Sequence, residues 1–476
     1  MNITPVPAGR FQRCILAGIL VLAAWFPAGC DRSAPRQILL FSIDTLRADH
    51  LGCYGYSRNT SPHIDALAAQ SRVYLHAYPA GCWTMPSHMS LLTGTLPSRH
   101  GVNMNWDAPR EGGYRVLNEQ IPLISAVIKK HRPSMTTIRF AQLPGRLGFD
   151  RGFDLDMEKD PFHSENEYRQ LLKIIRNHRG GDFFLFAHTW MVHAPYSSAR
   201  FLRNGEISRE DQDFVFHLRD KQSPDSHKRL SEFIKKKGWF TPRDCKDLYD
   251  GGIRRVDDGI SRLISDLKGL GLYEKMLIVV VSDHGEHFGE HVPERFYNDH
   301  GKDFYEESIR VPLILKYPHC EETGRVQTPV SLIDVVPTLL HLSGVPAHDA
   351  IQGRILPETD SRSAPVPVVG EAISLKGFER KMIRLNAFKL IITMNHPHGP
   401  GRMNWRQIRH RRLFNLETDP GEFRNLAHRA FFKRVGRSME QNLARILIES
   451  VRLNTRAQTE SISEETRNQL RSLGYL

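Results

Sequence analysis

Four side chains of this sequence have the chemistry of a metal-assisted displacement: Asp44, Thr84, Asp283 and His284. Two carboxylates and an imidazole make a shell for one divalent cation. A cation beside a hydroxyl lowers its pKa and takes up charge on an ester oxygen. Thr84 belongs to the stretch Gly81-Cys82-Trp83-Thr84-Met85-Pro86-Ser87-His88-Met89-Ser90-Leu91-Leu92-Thr93-Gly94. Pro86 suits a first helical turn, where its missing N–H costs nothing, and Met89, Leu91 and Leu92 carry the helix on. This pattern predicts Thr84 just outside the helix N-terminus, where unpaired N–H groups and the positive end of the helix dipole favour an anion. Thr-x-Pro-Ser is also an ordinary helix cap, so the assignment depends on the rest of the chain.

The elements that must position these groups follow from apolar patterning. Gln37 to Ile43 is a continuous apolar run that stops at Asp44, and Met276 to Val281 ends in Ser282-Asp283-His284-Gly285-Glu286. Both read as buried parallel strands presenting polar groups at their C-terminal edges, where open α/β sheets bind ligands. Thr136 to Ala141, Phe183 to Ala187 and Ile309 to Leu315 read as further strands, the second running into His188 and His193-Ala194-Pro195-Tyr196. Helices are expected after Thr60-Ser61-Pro62, over Ile121 to Lys130, Glu165 to His178 and Val330 to Leu342, and along Val256, Ile260, Leu263 and Leu267. The alternation predicts an α/β domain over 36–346, with a mostly parallel central sheet sandwiched by helices and a charged peripheral insertion at 197–247. Over 347–476 the pattern changes. Short strands at Met382 to Leu385, Lys389 to Met394 and Arg411 to Asn415, with an Arg-rich helix from Phe431 to Leu453, predict a smaller α+β subdomain with a short antiparallel sheet.

The 65 Lys and Arg against 53 Asp and Glu give a net charge of +12, which favours an anionic ester as partner. Aromatics do not interleave with a basic stripe, so nucleic acid is not expected. Arg10 and Arg13 precede an apolar run from Cys14 to Phe26, then Ala28-Gly29-Cys30, so 1–30 reads as an export segment. Small residues before Cys30 resemble the bacterial lipoprotein cleavage box, with Pro27 as a departure. The expectation is a cell-envelope protein on the periplasmic side, held at the membrane by an N-terminal lipid or an uncleaved anchor. Cys53, Cys82, Cys245 and Cys320 match no metal or redox spacing and are expected as buried free thiols.

Taken in order, the motifs resemble the sulfatase-like branch of the alkaline phosphatase superfamily. They are Ile43-Asp44-Thr45-Leu46-Arg47 with Gly52-Cys53-Tyr54-Gly55, the Thr84-Met85-Pro86-Ser87 box, His193-Ala194-Pro195-Tyr196 and Ser282-Asp283-His284-Gly285-Glu286. His300-Gly301-Lys302, Tyr305-Glu306-Glu307-Ser308-Ile309-Arg310-Val311-Pro312 and Leu413-Phe414-Asn415-Leu416 with Asp419-Pro420 complete the set. The resemblance implies that Asp44, Asp283 and His284 bind metal and that Thr84 is both ligand and nucleophile. It further implies that His193 and Lys302 contact the ester or leaving oxygen and that Asn105 is a substrate-contacting amide.

Departures from the family pattern bear on the chemistry. Sulfatases carry a cysteine or serine, converted to formylglycine, in a Cys-x-Pro-Ser-Arg box. Thr84 cannot be converted, so no formylglycine is expected, and His88 takes the arginine's place as a substrate-binding residue. Formylglycine's second hydroxyl expels sulfate, an exit a threonine sulfate lacks, whereas a threonine phosphate is open to attack at phosphorus. Thr45 stands where calcium-binding sulfatases have a second Asp, and with His284 this favours zinc or manganese, calcium or magnesium being alternatives. A second metal would draw on His287, His291, Asp299 and His300, a loop expected to face solvent or substrate instead. The resulting reading is an exported metallohydrolase of phosphate, phosphonate or sulfate esters. A phosphoethanolamine-type transferase and a catalytically degenerate binding protein stay open as rivals.

Overall fold

All seven residues of Gln37–Ile43 are buried, and their side chains divide with the two-residue period of a strand. Ile38 and Leu40 enter one core with Met85, Met89 and Leu92. Leu39, Phe41 and Ile43 enter another with Val256, Ile260 and Leu267. A strand apolar on both faces must be covered on both, and in this computed structural model helix Thr84–Thr93 contributes to one cover and helix Pro242–Gly269 to the other. The structure describes residues 34–102, 114–157, 166–194, 196, 198, 200–201, 242–291, 300–319, 322–359, 366–373, 378–395, 407–452 and 459–460.

Across the central sheet the strands run Gly324–Val326, Arg72–Tyr74, Leu313–Lys316, Leu277–Val281, Gln37–Ile43, Phe183–Thr189, Thr136–Phe140 and Leu155–Asp156. Every pairing is parallel except those that Leu313–Lys316 makes with its two neighbours. Ser42 stands opposite His188 on one side and Val281 on the other, so three neighbouring strands end at one level. That level carries the site.

A second sheet is antiparallel, in the order Val368–Ile373, Phe378–Leu385, Phe388–Asn395 and Ile408–Asn415. Helix Lys433–Arg452 packs Met439, Leu443 and Leu447 into a third core with Ile383, Leu390, Ile392 and Leu413. Truncating either leucine to alanine is expected to cost about 2–5 kcal/mol. The Val368–Ile373 strand was not foreseen because Gly370 and Glu371 interrupt its apolar run. Glu371 is fully buried, and its partner explains how: it pairs with Lys381 on the next strand, and its other oxygen accepts the Ser98 N–H at 3.0 Å.

Two other expectations change. Ile309 to Leu315 splits into a helical turn, Glu306–Ile309, and a shorter strand, because Pro312 cannot donate to a ladder. Val330–Ser331 is a strand, and Ser331 with Asp334 forms a capping box that starts the turn leading into helix Val335–Leu342. Cys53, Cys82 and Cys245 are free thiols, Cys53 only partly buried. The N-terminal segment with Cys30 and most of 197–247 lie outside the described residues, although helix Pro242–Gly269 begins within the latter. Among the described residues no helix is long and apolar enough to cross a membrane.

Candidate active site

Thr84 is the first residue of its helix rather than the residue before it; Trp83, extended at φ −161° and ψ 166°, precedes the turn. The turn starts earlier than expected because Pro86, lacking an N–H, is tolerated anywhere in the first turn, where such groups have no helical partner. Gly81 permits the tight entry. A Cβ there would lie 2.9 Å from both Pro86 Cγ and Ser87 Oγ.

Three strand ends then meet the helix start. The Thr84 hydroxyl lies 3.2 Å from His284 Nε2 and 3.4 Å from Asp44 Oδ2. His284 Nε2 is 3.6 Å from Asp44 Oδ1 and 3.4 Å from Asp283 Oδ2, and all four residues are fully buried. Residues 40 and 200 positions apart from Thr84 are thus brought to one point. Thr45, a β-branched residue at φ 57°, is held in the left-handed region where such residues are outliers. In return its N–H points at Asp283 Oδ1, 3.3 Å away, and its carbonyl accepts the Tyr249 hydroxyl at 2.6 Å. Gly285 has a different reason: a Cβ would fall 2.0 Å from the Glu307 carbonyl oxygen, so only glycine lets the Asp283-His284 turn seat against that segment.

Burial, then the charge of Asp283, pushes the Asp44 carboxyl well above its usual range. Burial acts the same way on Asp283 but is outweighed by the imidazoles of His284, His88 and His188, which bring it down to about 2. Asp44 Oδ1 and Asp283 Oδ2 are buried with no hydrogen-bond partner among the described residues. Buried carboxylate oxygens are normally satisfied, and these two converge with His284 Nε2. Two oxygens, one imidazole nitrogen and a hydroxyl fit a divalent cation.

Around this cluster the expected residues fare differently. His193 gives its Nδ1 proton to the Ala194 carbonyl at 2.6 Å, leaving Nε2 buried with no hydrogen-bond partner among the described residues. Burial, then the neighbouring His300, pushes its pKa well down, so the ring is a neutral acceptor rather than a proton donor. Its ring stands 5.1 Å from His300, which lies 4.6 Å from His284. Lys302 follows Gly301, where a Cβ would come 3.2 Å from the Trp83 side chain, so the backbone before Lys302 abuts the residue that precedes the Thr84 helix. Asn105 lies outside the described residues. His88 departs from its substrate-contacting role: its Nε2 is 2.9 Å from Ser42 Oγ and its Nδ1 3.0 Å from the Thr84 carbonyl. Both nitrogens are taken within the protein because a helix residue four positions after Thr84 lies beneath it.

Two participants were missed. His188 sits in the strand, which runs on to Thr189, with its Nε2 3.2 Å from Asp44 Oδ2. Its register opposite Ser42 is the signal that places it, and register is invisible without the pairing. Glu286 is a buried anion, held at about 2 by His300 and Tyr196 despite burial, and its contacts are 3.1 Å to His300 Nδ1 and 2.9 Å from the Tyr196 hydroxyl. A carboxylate–imidazole pair therefore stands over His284.

Of the histidines beyond, expected to face solvent or substrate, His287 does neither, and Asp299 lies outside the described residues. His287 is buried between Asp303, 2.9 Å from its Nε2, and Glu307, 3.2 Å from its Nδ1. Burial works against its charge, but Asp303 and Glu307 outweigh it and raise the pKa well above the ordinary value. A raised folded pKa means the stabilisation is complete below the unfolded value of about 6.5 and is lost as pH rises through the folded one. His287→Gln is expected to lower the melting temperature most below pH about 6.5 and to flatten the alkaline fall seen in the parent protein; calorimetry across pH checks this.

The fold defines the class: a mostly parallel central sheet with its polar groups at one strand edge and a separate antiparallel sheet, the sulfatase and alkaline-phosphatase-like architecture. The sulfatase family model matches residues 36–345, and the chain belongs to that family. Arylsulfatase K of Bos taurus is 29% identical over 224 residues, covering 44% of this chain and 38% of that protein. The match thus spans well under half of that relative. An ulvan-active sulfatase of Formosa agariphila is 23% identical over 453 residues, 88% of this chain and 82% of its own. The crystal structure of the phosphonate monoester hydrolase of Agrobacterium radiobacter superposes with a TM-score of 0.62 at 17% identity, over 87% of this chain and 96% of that one. That likeness is one of fold.

Proposed function

We propose that this protein hydrolyses phosphate or phosphonate esters with Thr84 as nucleophile, in the cell envelope outside the cytoplasm. The observation that carries this is the Thr84 hydroxyl within 3.4 Å of both His284 Nε2 and Asp44 Oδ2, beside two buried carboxylate oxygens without partners. Asp44, Asp283, His284 and Thr84 would hold a zinc or manganese ion, whose charge lowers the hydroxyl's pKa and stabilises the ester oxygens. Thr84 Oγ1 releases its proton to solvent and forms a bond to phosphorus as the ester P–O bond breaks, and the departing alkoxide takes a proton from Lys302. Water then attacks phosphorus as the Thr84 P–O bond breaks, the water's proton passing to Nε2 of His193 and from there back to Lys302, while the Thr84 oxygen regains a proton from solvent. The helix N-terminus beneath Thr84 supports negative charge throughout.

Preference for phosphorus over sulfur rests on the threonine, since a threonine sulfate has no second hydroxyl to expel it. The phosphonate monoester hydrolase fold neighbour supports the same class. Export is supported by the N-terminal sequence pattern ending at Cys30. Turnover of aryl phosphate, phenylphosphonate and aryl sulfate esters tests the proposal. The phosphorus esters are expected to turn over at least about 10-fold faster, which is about 1.4 kcal/mol of transition-state discrimination. Chelation is expected to abolish turnover and zinc or manganese to restore it. Faster sulfate cleavage, or full activity in chelator, would falsify it.

A further inference from the structure

The segment that follows the last strand of the antiparallel sheet is strapped across one end of that sheet. The Leu416 N–H donates to the Ala387 carbonyl and the Leu426 N–H to the Leu413 carbonyl, each at 2.8 Å, and the Phe432 ring packs 6.0 Å from Phe388. What this strap turns outward is apolar. Phe431 is 85% exposed and Phe423 72%, the two most exposed large apolar side chains among the described residues. A single exposed apolar residue is ordinary, but two bare phenylalanines on one strap form a patch that calls for a partner.

Both rings are held in place. Phe432 turns inward to the third core, and its neighbour Phe431, with its ring 5.1 Å away and nearly perpendicular, faces out. Asp419 accepts the Phe423 and Arg424 N–H groups at 3.1 and 2.8 Å. The Phe423 ring stacks on His291 at 5.3 Å, and His291 stacks in turn on Tyr305 at 3.6 Å. Rings supported in this way lose little side-chain freedom when their outer faces are covered.

Charge indicates what covers them. Between Phe423 and Met439 the sequence holds no acidic residue, and Arg424, Arg429, Lys433, Arg434 and Arg437 are exposed, with no ion pair among the described residues. The acids on either side are already neutralised: Glu422 is buried against Lys389, and Glu440 pairs with Arg411. A soluble polyanion would match the cations but gains nothing from two protruding rings that offer no hydrogen bond. A phospholipid surface uses both, since its headgroups take the cations while the rings enter the boundary between headgroups and acyl chains.

We infer that this face docks the protein on an anionic phospholipid bilayer. The contact is additional to the N-terminal segment and independent of the ester chemistry. A tether alone leaves a folded body free to turn, whereas inserted rings fix the face that meets the lipid.

Flotation of the full-length protein with vesicles of phosphatidylcholine, alone or mixed equally with phosphatidylglycerol, tests this. The parent is expected to bind the mixed vesicles more tightly and to lose the difference at about 1 M salt, where the screening length falls to about 3 Å. Arg424→Gln with Arg429→Gln and Arg434→Gln is expected to weaken binding to the mixed vesicles about 10²-fold. Phe423→Ser with Phe431→Ser is expected to weaken it at least about 10-fold. Both variants are expected to melt with the parent, because these side chains are exposed. Hydrogen exchange of the vesicle-bound parent keeps the readout at this face: it is expected to slow over 423–437 only when phosphatidylglycerol is present. Exchange unchanged there, or no preference for phosphatidylglycerol, overturns the inference. An arginine variant as tight as the parent assigns the charge dependence to Arg10 and Arg13 of the N-terminal segment and also overturns it. So does a phenylalanine variant as tight as the parent, which would make the cations a site for a soluble polyanion. Self-association of the vesicle-free parent that Phe431→Ser abolishes would identify a second copy of this chain as the occupant, with the same consequence.

Discussion

Thr84→Ala is expected to lower turnover of the best phosphorus ester by at least about 10³-fold, the scale on which removal of a nucleophile is felt. The side chain is fully buried, and its hydroxyl is the group closest to His284 Nε2, at 3.2 Å. In the proposed reaction alanine removes the attacking oxygen and one ligand together, while Asp44, Asp283 and His284 would stay in place to keep a weakened metal site. Thr84→Ser keeps the hydroxyl on the same helix start and is expected to retain activity within about 10-fold. Intact-mass measurement after rapid mixing is expected to show one added phosphoryl group in the parent and Thr84→Ser proteins and none in Thr84→Ala. Full turnover in Thr84→Ala would assign the attack to water.

The largest expected effect on stability lies far from the chemistry, at Lys381. This side chain is fully buried, and its ammonium pairs with both Glu371 and Glu379. Burial opposes its charge, but the two carboxylates outweigh that and raise the pKa beyond the ordinary value for lysine. Lys381→Met fills the space but leaves two carboxylates without their cation, which is expected to cost about 3–5 kcal/mol in denaturant unfolding. Glu371 also accepts the Ser98 N–H, and its own N–H donates to the Ala80 carbonyl at 2.8 Å, one residue before the stretch that opens the Thr84 helix. Loss of Lys381 is therefore expected to reduce activity before it unfolds the chain. Restoring packing with neutral partners, as in Lys381→Met with Glu371→Gln and Glu379→Gln, is expected to recover most of the stability. An unfolding midpoint unchanged in Lys381→Met contradicts this account.

Much of the architecture was legible because the buried strands are written as unbroken apolar runs. Gln37–Ile43 and Leu277–Val281 need no partner information to be recognised, the first stopping at Asp44 and the second at Ser282-Asp283. The antiparallel sheet was harder to read, because its first strand carries Glu371 and Gly370. A buried glutamate looks like a loop residue until the lysine that neutralises it is seen across the strand pair.

By itself the sequence determined that Asp44 follows one buried strand, that Asp283 and His284 follow another just after Ser282, that a helix begins close to Thr84, and that a threonine stands where the family pattern has a cysteine or serine. Chain order and residue chemistry suffice for these, since each depends on its immediate neighbours. The tertiary structure alone decided the roles of the histidines. His188 joins the site through strand register, His88 turns inward beneath Thr84, His193 presents a bare nitrogen, and His287 is a buried cation between two carboxylates. An imidazole is donor, acceptor, ligand or cation according to which partner holds its other nitrogen, and those partners come from segments distant in the chain.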